Sequence, residues 1–190
     1  MKTSIKIGVI ALLTLIFFFN LQVKAQTTGK TESYGSGIRL SVGADAGIPL
    51  GSLKNNYEWN LGGSLQGDFP ILKDQLYATL NSGYNNFFNK NDSPLSNLHL
   101  IPVKAGLKYF LVRSVYIQGE AGAAFVTDKN TLGTDKSAAF VYAPQAGVLF
   151  NLGGRNYIDA GVRFEGTSKL YTGGGANDFL GLRVAYEFGL

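Results

Sequence analysis

The stretch Leu180-Gly181-Leu182-Arg183-Val184-Ala185-Tyr186-Glu187-Phe188 decides how the rest of the chain is read. Large apolar side chains alternate in it with small or charged ones. Successive side chains of a strand point to opposite faces, so Leu180, Leu182, Val184, Tyr186 and Phe188 share one surface while Arg183 and Glu187 share the other. Such a strand divides an oily environment from a polar one, and the remaining sequence indicates which of them lies inside.

The same period of two recurs in eight runs, at about 38–48, 59–69, 76–88, 98–110, 115–126, 139–151, 157–165 and 179–188, with no helical period after Gly37. A tilted strand needs about 9 to 11 residues to cross a hydrocarbon layer, and each run is near that length. Alternate positions counted from Ile38, Trp59, Leu76, Ile101, Val115, Tyr142, Ile158 and Leu180 form a set without a single charge. The opposite set holds Arg39, Lys104, Lys108, Arg163 and Arg183 together with Asp45, Asp68, Glu120, Asp159, Glu165 and Glu187. Glycines and the amides Gln66, Gln118 and Gln145 lie between them. A lysine or arginine facing lipid costs about 2–4 kcal/mol at the bilayer midplane, so the uncharged set is expected to face acyl chains. The charged set then points inward. Eight strands enclose only enough room for side chains, and an isolated buried ion is costly, so the interior is expected to be a paired polar plug with no open pore.

The connections agree with this reading. Short turns fall at Pro70–Gln75, Leu111–Ser114 and Gly153–Asn156, and longer polar loops at Pro49–Glu58, Asn89–Asn97, Thr127–Ala138 and Gly166–Asp178. Alternation of short and long connections puts all long loops at one end, which is the outer-membrane arrangement. The expected fold is all-β: an eight-stranded antiparallel up-and-down transmembrane β-barrel over 37–190, closed by pairing Ile38–Ile48 with the last strand.

Lys2 and Lys6 precede an apolar run from Ile7 to Phe19, and Val23-Lys24-Ala25 supplies a cleavage site, so residues 1–25 read as an export signal. The run is shorter than the roughly 20 residues of a membrane-spanning helix. Residues 26–36, polar and aperiodic, read as a flexible lead-in. Of the 17 basic residues, three lie in the signal, which leaves 14 against 13 acidic and a net charge of +1 in place of +4. Such a balance offers no electrostatic footprint for nucleic acid. There are no cysteines, so no disulfide framework holds the exported chain.

Aromatic residues gather towards the strand ends at Trp59, Phe69, Phe87, Phe88, Tyr109, Phe110, Phe150, Tyr157, Phe179, Tyr186 and Phe188, as in the interfacial girdles of membrane barrels. Pro144 lies inside the sixth run, whose apolar residues occupy both parities, and is expected to mark a bulge or a broken ladder. Pro102 raises the same expectation in the fourth.

The export signal, the Gly-Ala-Asp-Ala-Gly-Ile-Pro-Leu-Gly run at 43–51, the Asn-Ser-Gly-Tyr-Asn run at 81–85 and the alternating last strand together resemble the small outer-membrane β-barrel family, the OmpA/OmpX-like group. The resemblance implies insertion in the outer membrane among its lipids and lipopolysaccharide. It also implies a terminal signal for the barrel-assembly machinery, carried by Tyr186 and Phe188 and followed here by Gly189 and Leu190. Members of the group range over structural, adhesive and a few enzymatic roles.

Candidate chemistry is thin. The single histidine, His99, follows a loop containing Asp92, Ser93 and Ser96, and a base beside a hydroxyl is what acyl transfer needs. The loop acids Asp128, Asp135 and Asp178 lack calcium-loop spacing, and Gly173-Gly174-Gly175 is not followed by a helix or a lysine–serine pair. No catalytic residue, cofactor or metal site is therefore expected. The expected function is that of a non-enzymatic, monomeric outer-membrane barrel with a structural or surface-interaction role, its long loops offered to a surface partner. The alternatives are a soluble periplasmic lipocalin-like ligand-binding barrel, with the apolar set turned inward, and a small outer-membrane lipid-modifying enzyme or narrow channel.

Overall fold

The computed structural model describes residues 37–90, 97–127, 138–168 and 177–190. The export segment 1–25 and the lead-in 26–36 expected from the sequence lie outside them, as do 91–96, 128–137 and 169–176 of the long loops.

Eight strands follow one another in chain order and close on themselves: β1 (Arg39–Gly51), β2 (Tyr57–Leu72), β3 (Leu76–Asn89), β4 (Leu98–Phe110), β5 (Val115–Val126), β6 (Ala138–Gly153), β7 (Asn156–Thr167) and β8 (Asn177–Gly189). Every neighbouring pair is antiparallel. The closing seam is continuous, with Arg39 opposite Gly189, Asp45 opposite Arg183 and Gly51 opposite Asn177. Leu190 N donates to Ile38 O at 2.8 Å and finishes it. With no free edge, every strand backbone has a neighbour on both sides, which a barrel in hydrocarbon requires.

Parity places the side chains as the alternation dictates. Leu182 is 62% exposed on the outer surface and Leu65 64%, whereas Arg183 is 1% and Glu187 0% exposed within. The soluble reading requires the reverse, with apolar residues around an enclosed hollow, and this geometry removes it.

Several details differ from the sequence reading. Residues Leu53–Asn56 form a one-turn helix, α1, between β1 and β2, where only a loop was expected. Buried Leu53 tethers it to the barrel mouth, and its four residues are too few for a helical period to show. The turn expected at Pro70–Gln75 is shorter, because β2 continues to Leu72 through a register shift between Pro70 and Leu72. At Pro144 the β5–β6 register runs on unbroken, with Gly119 opposite Pro144. The β6–β7 pairing instead skips from Tyr142–Gly166 to Gln145–Arg163 without changing register. Pro144 is thus a broken ladder on one side. Pro102 behaves likewise, paired with Ala124 in β5 but within a gap between Ser82–Val103 and Asn85–Leu100 on the β3 side.

The girdles are also smaller than the aromatic count suggested. Phe87, Phe110, Tyr157 and Phe179 are at most 5% exposed and point inward. The outer surface keeps Phe69, Tyr109, Phe150 and Tyr186 at the turn end. At the loop end it keeps Trp59, Tyr84, Phe125, Phe140 and Tyr142. Trp59 stacks on Phe88 with ring centroids 4.2 Å apart.

Outward Leu182 tests the orientation. Leu182→Arg should lower stability towards urea in lipid vesicles by about 2–4 kcal/mol. An unchanged midpoint would mean that this face does not meet hydrocarbon.

Candidate functional site

Among the described residues, charge is concentrated in the barrel interior. All eleven charged positions singled out from the sequence point into it, at 7% exposure or less. They form two groups.

The group nearer the turns contains three cations and three anions. Lys108 Nζ lies 2.9 Å from Asp68 Oδ2, 3.1 Å from Glu187 Oε2 and 3.7 Å from Asp159 Oδ2. Arg39 Nη1 is 3.2 Å from Glu187 Oε1, and Arg39 Nη2 donates to Tyr77 Oη at 2.8 Å. The Arg183 guanidinium donates to Asp159 Oδ2 at 3.0 Å, Ser64 Oγ at 3.1 Å and Ser41 Oγ at 2.9 Å. Gln66 Nε2 donates to Asp68 Oδ1 at 2.7 Å, and Tyr116 Oη to Asp159 Oδ1 at 2.6 Å. Each ion here meets an opposite charge, and Arg39, Arg183, Asp68 and Asp159 make hydrogen bonds to neutral groups as well, which is the condition under which buried charges become tolerable.

The group nearer the loops contains two cations and three anions. Lys104 Nζ pairs closely with Glu165 and stands 3.9 Å from Glu120 Oε2. Arg163 Nη1 lies 3.4 Å from Asp45 Oδ1 and Arg163 Nη2 4.0 Å from Glu120 Oε2. Glu120 accepts from Thr79 Oγ1 at 3.1 Å through Oε1, while its Oε2 has no hydrogen-bond donor. Two polar bridges join the groups. Ser64 Oγ, which accepts from Arg183, donates to Asp45 Oδ2 at 2.6 Å. Arg163 Nε donates to Gln145 Oε1 at 2.8 Å, and Gln145 Nε2 to Tyr116 Oη at 2.5 Å.

Two apolar plugs close the polar centre. Tyr77, Phe110, Tyr116, Leu149 and Tyr157 fill the turn end, where Arg39 lies 4.6 Å from the Tyr77 ring centroid and 5.3 Å from that of Phe110. Leu53, Tyr57, Phe87, Leu98, Leu100, Val126, Ala139 and Phe179 fill the loop end. The sequence reading foresaw a polar interior and missed both plugs. Gly147 shows why small residues are needed among these large ones: a Cβ there would meet Tyr116 Cζ at 2.5 Å.

His99 faces outward near the loop end. Its Nδ1 and Tyr84 Oη share a 2.6 Å hydrogen bond, and the two rings stack with centroids 5.7 Å apart. Asp92, Ser93 and Ser96 lie outside the described residues. Tyr186, facing outward, donates through Oη to Asn156 Oδ1 at 2.9 Å, with its ring centroid 6.3 Å from that of Phe188.

No protein-family model matches the chain, and no curated protein matches it. Among solved structures it is similar to Neisserial surface protein A, at 18% identity and TM-score 0.56, covering 82% of this chain and 98% of that one. It is similar to the outer membrane enzyme PagL, at 15% identity and TM-score 0.55, covering 79% and 99%. It is also similar to Ail, the attachment invasion locus protein of Yersinia pestis, at 19% identity and TM-score 0.52, covering 81% and 100%. At these identities the likeness is one of fold: the closed eight-stranded barrel of small outer-membrane proteins.

The two charge groups make opposite predictions. Glu187→Gln removes the shared anion of Arg39 and Lys108 and should cost about 3–5 kcal/mol in urea unfolding. Glu120→Gln removes the surplus carboxylate of the loop-side group and should stay within about 1 kcal/mol of the parent. Equal losses would contradict this division of the interior.

Proposed function

We propose that the chain is a non-conducting integral outer-membrane barrel that serves as a rigid mount for its long loops. The observation that carries the reading is the combination of an outer surface without charge between the two ends of the barrel and an interior sealed by paired ions and by an apolar plug at each end. Water and ions need a continuous polar path. Phe87 and Phe179, in edge-to-face contact at 5.4 Å, obstruct it at one end, and the Tyr77–Phe110–Tyr116 cluster at the other.

On this reading the chain is exported through residues 1–25, cleaved before Gln26 and delivered to the barrel-assembly machinery, which reads Tyr186 and Phe188. It sits as a monomer among outer-membrane lipid and lipopolysaccharide. Its four long loops, one after each of β1, β3, β5 and β7, contact a partner at the cell surface. Ail, whose fold this chain shares, is an attachment protein, and that supports a surface-interaction role of the same general kind.

A second reading has one observation in its favour. The Tyr84–His99 pair lies on the outer surface near the loop end, and the outer membrane enzyme PagL has the same fold. A lipid-modifying activity would use His99 as the base. Tyr84 supplies a phenol there, a weak nucleophile without further activation, so the non-enzymatic reading is preferred.

In planar bilayers the folded chain should give no sustained conductance steps. Reproducible single-channel openings would contradict the sealed interior. Incubation with lipopolysaccharide and phospholipid should leave both unchanged by mass spectrometry. A product lost in the His99→Ala variant would establish the enzymatic reading in its place.

A further inference from the structure

The three short turns share a pattern that neither the fold nor the mount function requires. In each, an outward aromatic residue is followed two positions later by an exposed aliphatic one and then by a cation: Phe69, Ile71 and Lys73; Tyr109, Leu111 and Arg113; Phe150, Leu152 and Arg155. Each aliphatic residue sits beyond its ring on the turn side, where the ladder ends or is irregular: Ile71 at the register shift between Pro70 and Leu72, Leu111 just past the end of β4, and Leu152 at the shift between Asn151 and Gly153. The aromatic ring normally marks where the acyl region gives way to headgroups, and residues beyond it are expected to be polar. Here Ile71 is 55%, Leu111 56% and Leu152 44% exposed, and Leu72 and Val112 beside them are 53% and 59% exposed. The cation beyond each is exposed as well.

Charge at this end is one-sided. Asp68, Asp159 and Glu187 are committed to the interior, so Asp74 is the only acid that accompanies Lys73, Arg113 and Arg155 among the described residues. Apolar side chains below, with long flexible cations above, match a lipid whose glycerol and upper acyl carbons meet the aliphatic residues while its phosphate meets the cation. A second macromolecule would be expected to find one contiguous patch. These features are instead divided over three separate hairpins, with exposed cations, that of Arg155 lying beside Gly37 and Gly189 at the barrel seam.

We propose that the three turns are phospholipid clasps: each binds the phosphate of an anionic glycerophospholipid in the leaflet on the turn side, with Lys73, Arg113 and Arg155 as the phosphate ligands. The clasps hold the barrel at a fixed depth from below while the loops work above. This inference rests on the membrane reading of the previous subsection.

The full chain, folded into nanodiscs of equimolar phosphatidylcholine and phosphatidylglycerol with matched acyl chains, is released into mild detergent, and the retained lipids are counted by native mass spectrometry. The parent should retain phosphatidylglycerol over phosphatidylcholine. Each cation is worth about fivefold in anionic-lipid binding, so Lys73→Gln, Arg113→Gln and Arg155→Gln combined should abolish the preference. The exchange Lys73→Arg, Arg113→Lys and Arg155→Lys should preserve it. Removing two cations at the other end, Lys54→Gln with Lys90→Gln, should leave it unchanged.

Heat-modifiable gel migration, read on the same samples, separates the two layers of the argument. A parent that does not fold into the bilayer overturns the membrane reading and the clasps together. A parent that folds without lipid preference overturns the clasps alone. So does a triple glutamine variant that keeps the preference, or one whose only loss is capture of a periplasmic protein.

Discussion

A charged side chain must not face hydrocarbon, and that constraint governs the whole molecule. Apart from Glu58 and Asp178 at the loop-end tips of β2 and β8, the strands carry five cations and six anions, and an antiparallel barrel offers only two sides on which to put them. Placing them inside satisfies lipid but creates a second problem, since the interior of eight strands is too narrow to hydrate eleven ions freely. The network is the answer to that problem. Lys108 meets three carboxylates, and Arg183 donates to one carboxylate and two hydroxyls. Through the network Arg39, Lys108, Asp68, Asp159 and Glu187 tie together five different strands.

The apolar plugs extend the same logic. A polar network keeps its strength only where bulk water is kept out, because screening and a high dielectric weaken each pair. Phe110 and Tyr116 stand directly over Lys108 at 5.7 Å and 4.4 Å, so the plug at the turn end also contacts the charge it shields. At the loop end the helix α1 contributes Leu53 to the lid. On the proposed function, the same seal that protects the ion pairs also closes the route by which a channel would conduct, so the stability of the interior and the role as a mount have one cause.

Much of this was legible in the sequence because no charge interrupts the outward parity within the eight runs, Asp178 standing just before the last of them. The closing pair β1–β8 follows from two strands that obey the same rule, and the one-sided ladder breaks at Pro102 and Pro144 follow from a missing N–H. The plugs were legible too, by a signal that aromatic clustering concealed. Phe110 shares the parity of Lys104 and Lys108, Tyr157 that of Asp159 and Arg163, and Phe179 that of Arg183 and Glu187. Counting by two from the charges sends all three inward, whereas counting aromatics at strand ends sends them to the girdle. The helix α1 left no such trace, because one turn held by a single buried leucine is shorter than the period that would reveal it. The partition of the charges into a balanced and an unbalanced group depends on barrel shear and rotamers, which no one-dimensional pattern encodes.

The chain contains no cysteine, so single cysteines can be introduced one at a time from Leu180 to Phe188 and carry a nitroxide label in lipid vesicles. Collision with dissolved oxygen, which concentrates in acyl chains, should rise and fall with a period of two. It should be high at 180, 182, 184 and 186 and low at 181, 183, 185 and 187. A flat profile, or one with its maxima at 183 and 187, would contradict the claim that the uncharged face of this barrel looks into lipid.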